Sequence, residues 1–219
     1  MIQTTGRLGV GIVFASSLLL VAGCGGTGKT FYLDLQQKQP VSAQYIEPEP
    51  VRIVIEPFED RRPEKSRLGL RTHLWGGVTY FTVAGERPGD VIAQALADRL
   101  RARGWKDRPW TVRVASNGAA ANPNDADIVI SGQLLDFSAN AKSRLFSTVV
   151  NTSSKMVITA KNIGDQSATI RSIEGAQRDT VVWFSEDDVQ ELMAATLKDG
   201  IDRYLAETTI EQKALRPTR

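Results

Sequence analysis

The stretch Asp127-Ile128-Val129-Ile130-Ser131-Gly132-Gln133-Leu134-Leu135-Asp136-Phe137 is dense in β-branched and apolar residues, and two stretches of similar character follow, Thr148 to Asn162 and Ala168 to Glu174. Gly164-Asp165-Gln166 supplies turn residues between the last two, which makes them neighbours in a hairpin. Thr180 to Phe184 reads as a short continuation or as a further strand. Long consecutive strands joined by short turns argue for an antiparallel sheet.

Working outward, Ser185 opens a helix with Asp188 three residues on, a capping-box spacing, and Val189, Leu192, Met193, Leu197, Ile201, Tyr204 and Leu205 form one apolar stripe. On the other side, Trp110 to Ala115 reads as a strand and Ser116 to Asp125 as an Asn/Ala/Pro loop. Asp90 caps a helix to Arg103, with Val91, Ile92, Ala95, Leu96 and Leu100 on one face and Gly104 just past its end. Val51 to Ile55 is the first strand, ending at Pro57, and Arg61 to Gly89 reads as a long loop or an irregular hairpin around Val78 to Val83. The expected fold is a single α+β domain over residues 51–206. Its antiparallel sheet has about four to five strands, in the order β-α-β-β-β-β-α, with two amphipathic helices on one face. The polar end from Glu207 to Arg219 is expected to fray.

Composition sets bounds on function. A chain of 219 residues with 42% hydrophobic and 24% charged residues can bury a core. Lys and Arg number 27 against 25 Asp and Glu, and Arg7 lies in a segment expected to be removed. A nearly neutral chain without a concentrated basic face gives no reason to expect nucleic acid. One cysteine and one histidine exclude an internal disulfide, a thiolate zinc cluster and a Cys-His couple.

The single cysteine has its own context. Met1 to Arg7 is short and weakly basic, Leu8 to Ala22 is apolar and uncharged, and Ala22-Gly23 precedes Cys24. That order is a secretory leader, and the apolar run is marginal as a membrane span. Val21-Ala22-Gly23-Cys24 resembles the bacterial lipobox, which implies cleavage before Cys24 and acylation of its thiol. Residues 1–23 are therefore read as signal peptide. Each buried methylene of an acyl chain contributes about 0.8 kcal/mol to anchoring, so multiple chains hold a protein at a membrane. Gly25, where an Asp would retain the protein at the inner membrane by the enterobacterial sorting rule, favours the outer membrane. Residues 24–50 read as lipidated Cys24 and a flexible tether, with Gly25 to Pro50 spanning on the order of 28 Å as a coil. Phe31-Tyr32-Leu33 interrupts it and is expected to dock locally.

Gly23-Cys24-Gly25-Gly26-Thr27-Gly28-Lys29-Thr30 matches the P-loop pattern letter for letter. A working P-loop needs a buried strand before the glycines and a helix after them. Here a leader precedes, three prolines follow within Phe31 to Pro50, and cleavage separates Gly23 from the rest. No nucleotide, cofactor or metal is expected.

Catalytic constellations are not expected either. A serine nucleophile would lack both a Gly-x-Ser-x-Gly elbow and a histidine partner, since the one histidine, His73, reads as a solvated loop side chain. Glu186, Asp187 and Asp188 complement a helix dipole. Among Glu59, Asp60, Arg61 and Arg62, an Asp-Arg pair is expected to fix the corner after the first strand. Trp105 and Trp110 read as core caps. The stretch Leu74-Trp75-Gly76-Gly77-Val78-Thr79-Tyr80-Phe81 is the candidate contact region, with Trp75, Tyr80 and Phe81 its possible partner or ligand residues. Aromatics beside glycines suit a mobile lip, and Trp and Tyr are favoured in interface hot spots. The alternative is an edge hairpin covering the end of the core.

Glu56-Pro57-Phe58-Glu59-Asp60-Arg61 followed by Leu68-Gly69, the helix ending Arg103-Gly104-Trp105, Ala126-Asp127-Ile128-Val129-Ile130-Ser131-Gly132-Gln133-Leu134 and the final amphipathic helix together resemble the YajG-type family of envelope lipoproteins. Leu74 to Phe81 departs from that pattern. Similar modules occur in auxiliary lipoproteins of envelope ABC transporters, whose early aromatic segment Phe31-Tyr32-Leu33 resembles. The resemblance implies an envelope role without a known reaction. The lipobox-like stretch, together with the lack of a catalytic constellation, leads to the expectation of a non-enzymatic accessory or binding module of the cell envelope, lipid-anchored in the outer membrane at its periplasmic face, with an envelope protein or a lipid as partner. The alternative is an auxiliary subunit of a lipid-transporting envelope ABC system.

Overall fold

The computed structural model describes residues 29–35, 51–85, 87–103, 110–115, 125–211 and 213–218. The expected leader, Cys24, Trp105 and most of the expected tether therefore lie outside the described residues.

The sequence features that mark strands and helices recur as elements in this order: β1 (Lys29–Leu33), β2 (Arg52–Ile55), β3 (Glu59–Asp60), β4 (Gly69–Thr72), β5 (Val78–Val83), α1 (Pro88–Arg103), β6 (Thr111–Val114), β7 (Ile128–Ser143), β8 (Thr148–Asn162), β9 (Ala168–Val181), α2 (Glu186–Ala206), β10 (Thr208–Glu211) and β11 (Ala214–Pro217). β7, β8 and β9 form the antiparallel meander expected from the sequence, but longer: β7 runs on past Phe137, and β9 absorbs Thr180 and Val181.

The α+β class fits, whereas the expected antiparallel sheet of four to five strands is overturned. Nine strands form one mixed sheet. β7 is its spine. One edge of β7 pairs antiparallel with β8 over its whole length. The other edge is shared by three short strands, all parallel to it: β2 against Ile128–Ile130, β3 against Gln133 and Leu134, and β4 against Ala139–Lys142. The stretch between Arg61 and Gly89 is thus not one loop. It supplies β4 and β5, an antiparallel hairpin. The expected tether also holds a strand, because β1 adds in parallel to β5 and buries Leu33.

Alternation along the strands decides which face is covered. Ile128, Ile130, Leu134, Phe137, Ala139 and Ala141 of β7 and Val150, Met156, Ile158 and Ala160 of β8 are all buried, while their neighbours in sequence are more open. A register irregularity between Leu134 and Asp136 keeps this alternation on one face beyond the bulge. α1 and α2 supply the opposing surface through Ile92, Leu96 and Leu100 and through Val189, Met193, Leu197 and Ile201. Fully burying one such side chain contributes about 1.5–3 kcal/mol. Arg99 on α1 donates to Asp202 on α2 at 2.8 Å. A buried hydroxyl pair, Thr152 on β8 with Thr196 on α2 at 2.6 Å, ties helix to sheet. Trp110 is buried, in keeping with a core cap.

The C-terminal end, expected to fray, is instead folded. β10 and β11 form a hairpin that buries Ile210, Ala214 and Leu215. Asn162 at the end of β8 holds it: its amide oxygen accepts from the Leu215 N–H at 2.8 Å, and its NH2 donates to the Leu215 carbonyl at 3.1 Å. Arg216 reaches Ser167 at 2.8 Å and also pairs with Asp165. Hydrogen bonds from Ser167, with the Arg216 charge behind them, hold the Asp165 carboxyl at about 2.

Candidate docking site

Strand direction brings the termini of six strands to one end of the sheet. β4 and β7 run toward that end in parallel and stop at Thr72 and Ser143, and β9 ends beside them, since Val181 pairs with Thr148. β1, β5 and β8 start there. The connections at this end are the β4–β5 turn, the β7–β8 turn and the link from β9 to α2.

Each connection lifts apolar side chains outward. In the β4–β5 turn, His73 and Gly77 close the backbone through an N–H donated to the Gly77 carbonyl at 3.2 Å. Gly76 and Gly77 both adopt positive φ, 84° and 87°, which non-glycine residues rarely tolerate. Trp75 at the tip is 89% exposed. The Arg144 N–H donates to the Ser147 carbonyl at 2.7 Å, a four-residue turn that places Leu145 and Phe146 at its two central positions. Phe146 is 79% exposed. Val182 and Trp183 follow β9, with Trp183 89% exposed.

With Leu74, these make six of the eight large hydrophobic side chains that are exposed among the described residues; Tyr32 and Ile170 lie elsewhere. Single exposed apolar residues are ordinary, but a contiguous group marks an interaction surface. Together the tips border an open groove of about 520 Å³.

The floor of the groove is polar and tied by hydrogen bonds. The Arg71 guanidinium lies 3.9 Å from the centre of the Phe184 ring, and its Nε donates to Ser143 Oγ at 2.9 Å. Burial lowers Arg71, with the Glu186 charge opposing, yet a guanidinium remains charged at any ordinary pH. His73 is half-buried and shares a hydrogen bond with Thr79 Oγ1 at 2.8 Å. Burial and the neighbouring Arg71 charge push its imidazole below the usual value, so it is neutral near pH 7. The solvated loop histidine expected from the sequence is instead part of this floor. Beside it, α2 opens with the expected capping box: the Ser185 N–H donates to Asp188 Oδ2 at 2.6 Å, and the Asp188 N–H to Ser185 Oγ at 3.4 Å.

The candidate trio from the sequence divides. Trp75 belongs to the exposed end. Tyr80 faces the other side of β5, half-buried, with the Arg67 guanidinium 4.8 Å from its ring centre. Phe81 is fully buried in the core and is withdrawn as a contact residue, because past the turn the period-two alternation points it inward. Leu145, Phe146, Val182 and Trp183 were missed by the sequence reading. The corner after the first strand is fixed by Asp60 and Arg62, bonded at 3.0 and 2.9 Å, while Arg61 pairs with Glu59 on the surface. Among the described residues no group of three His, Cys, Asp or Glu residues gathers to hold a metal, and no helix is long and apolar enough to cross a membrane.

No family model matches the chain, and no curated protein matches it. Several solved structures are similar to it at low identity. A DUF330 protein from Xanthomonas campestris is 7% identical, with 81% of this chain and 92% of that one covered and a TM-score of 0.48. A putative neuraminyllactose-binding hemagglutinin homolog from Helicobacter pylori is 10% identical over 84% and 94% of the two chains, at a TM-score of 0.46. Lipoprotein GNA1162 from Neisseria meningitidis is 12% identical over 68% and 97%, at 0.34. These three are bacterial proteins, one of them a lipoprotein, and the finer resemblance to the YajG-type family rests on the sequence motifs alone.

Proposed function

We propose that the chain is a non-enzymatic accessory or binding module of the bacterial envelope, anchored by acyl chains on Cys24 in the outer membrane and facing the periplasm. The observation that carries the binding role is the gathering of Leu74, Trp75, Leu145, Phe146, Val182 and Trp183 at one end of the sheet. Three separate connections contribute to it, so it is a property of the assembled domain rather than of one loop. The leader and the lipobox-like Val21-Ala22-Gly23-Cys24 support the anchor.

Expression of wild type and Cys24→Ala in a bacterial host fed labelled palmitate tests the anchor. Wild type takes up label and is cut before Cys24; Cys24→Ala takes up none and keeps its leader. Label retained by Cys24→Ala refutes the reading.

A further inference from the structure

The partner of the apolar end follows from where the chain enters the sheet. β1 begins at Lys29, and its register against β5 sets Lys29 beside Thr79 and Thr30 beside Tyr80. Val78 starts β5 directly after the Trp75 turn. The N-terminal entry to the domain is therefore at the same end of the sheet as the six exposed side chains. Only five peptide steps separate Cys24 from Lys29, and a fully extended chain covers at most about 3.6 Å per residue, so the reach is about 18 Å or less. A domain tied that closely cannot turn this end far from whatever surface holds Cys24.

We infer that the apolar end docks onto the lipid bilayer in which Cys24 is anchored, with Trp75, Leu145, Phe146, Val182 and Trp183 entering the interfacial region. This rests on the acylation of Cys24 proposed above. The side-chain chemistry fits a membrane surface. Trp is favoured at the headgroup level, where its ring meets apolar tails and its N–H stays near water, and Leu, Phe and Val suit the acyl boundary just below. Side chains 89% exposed at turn tips project outward and do not wall in a small ligand. The charges around them are mixed, with Lys142 near the end of β7, Arg144 in the turn after it, and Glu186 and Asp187 in the first turn of α2 all exposed, so an anionic surface is not required. In this arrangement the sheet stands on the membrane by its turn end, and the domain is not held off on a long tether.

The test uses the acylated chain, purified from a bacterial host and reconstituted in phosphatidylcholine vesicles with or without tail-brominated phosphatidylcholine. Trp75 and Trp183 are two of the four tryptophans, and bromine is expected to quench their share of the emission, up to about half of the total if the four emit equally. Trp75→Phe with Trp183→Phe removes that quenching while the protein still floats with the vesicles. Both sites are exposed, so thermal unfolding followed by circular dichroism should be unchanged in the double variant. Protein that carries no acyl chain and fails to float overturns the anchor. Protein that floats with unquenched tryptophans overturns the docking and leaves the anchor standing. Crosslinking from a photoreactive residue at position 146 to a second copy of the chain, without quenching, also overturns it, by giving the surface to self-association.

Discussion

Replacing Asn162 by Ala tests whether the last dozen residues belong to the fold. Asn162 is 2% exposed, and its amide satisfies both backbone groups of Leu215 while also donating to Ser167 Oγ at 2.9 Å. Its orientation is fixed by opposite demands, since the Leu215 N–H needs an acceptor and the Leu215 carbonyl a donor. In the Ala variant the Leu215 N–H loses this acceptor, and a buried unsatisfied donor costs about 1–3 kcal/mol. The two lost bonds from the NH2 group each contribute about 0.5–1.5 kcal/mol net. The Leu215 carbonyl keeps a weak bond from Thr169 Oγ1 at 3.4 Å, which offsets part of the loss. A net destabilisation of about 3 kcal/mol is expected, and for a domain of this size that lowers Tm by roughly 6–12 °C. Urea unfolding gives the free energy, and amide hydrogen exchange across residues 208–217 gives its location. Wild-type protection should be near that of the core strands, and Asn162→Ala should lose it first in the hairpin. A loss below about 0.5 kcal/mol, the size of an ordinary surface change, would refute the reasoning. So would fast exchange throughout the tail of the wild-type protein.

Two further perturbations address other parts of the molecule. A Cβ at Gly69 would sit 1.8 Å from the Ala139 carbonyl oxygen, at a φ of +156°, so Gly69→Ala should separate β4 from β7 and cost about 3 kcal/mol or more. Gly76→Ala meets nothing within 4 Å and carries only the backbone strain, about 1 kcal/mol, and comparing their urea midpoints isolates the collision. At Asp60, burial raises the carboxyl, but the hydrogen bonds and charge of Arg62 outweigh it and the net shift is downward. A lowered carboxyl stabilises the fold above its unfolded pKa of about 4, and that contribution disappears as pH falls through the lower folded value. Asp60→Asn should therefore be less stable than wild type at neutral pH and converge on it in acid, and parallel curves of Tm against pH would sink the assignment.

How much could be read from the sequence depends on whether the signal was local. α1, α2, the Ser185–Asp188 capping box and the β7–β8–β9 meander were legible because periodicity, caps and turn residues lie within each element. The pairing of β2, β3 and β4 with β7 was not, since parallel neighbours meet through long connections and leave no turn between them. β3 and β4 are also too short, at two and four residues, to show a period. The terminal hairpin was hidden by its composition. Thr208 and Ile210 alternate toward the core, but Glu207, Glu211 and Arg216 around them make the stretch read as polar.

The docking end shows the same division more sharply. Trp75 and Phe81 stand six positions apart in one aromatic stretch and have opposite fates, one 89% exposed and the other fully buried. Hydrophobicity does not separate them; the turn and the strand alternation do. Arg144-Leu145-Phe146-Ser147 and Val182-Trp183 carried a usable signal, apolar residues in the connections at the ends of strong strands, where polar turn residues are the rule. No single connection reveals a surface, however. The 16-residue spine β7 does so by delivering the β4–β5 and β7–β8 turns to one level, and β9, registered through β8, brings the third. All three connections leave their apolar tips uncovered. Water is a poor partner for such a surface, so the arrangement makes sense when an apolar phase meets it, and β1 enters the sheet on that same side.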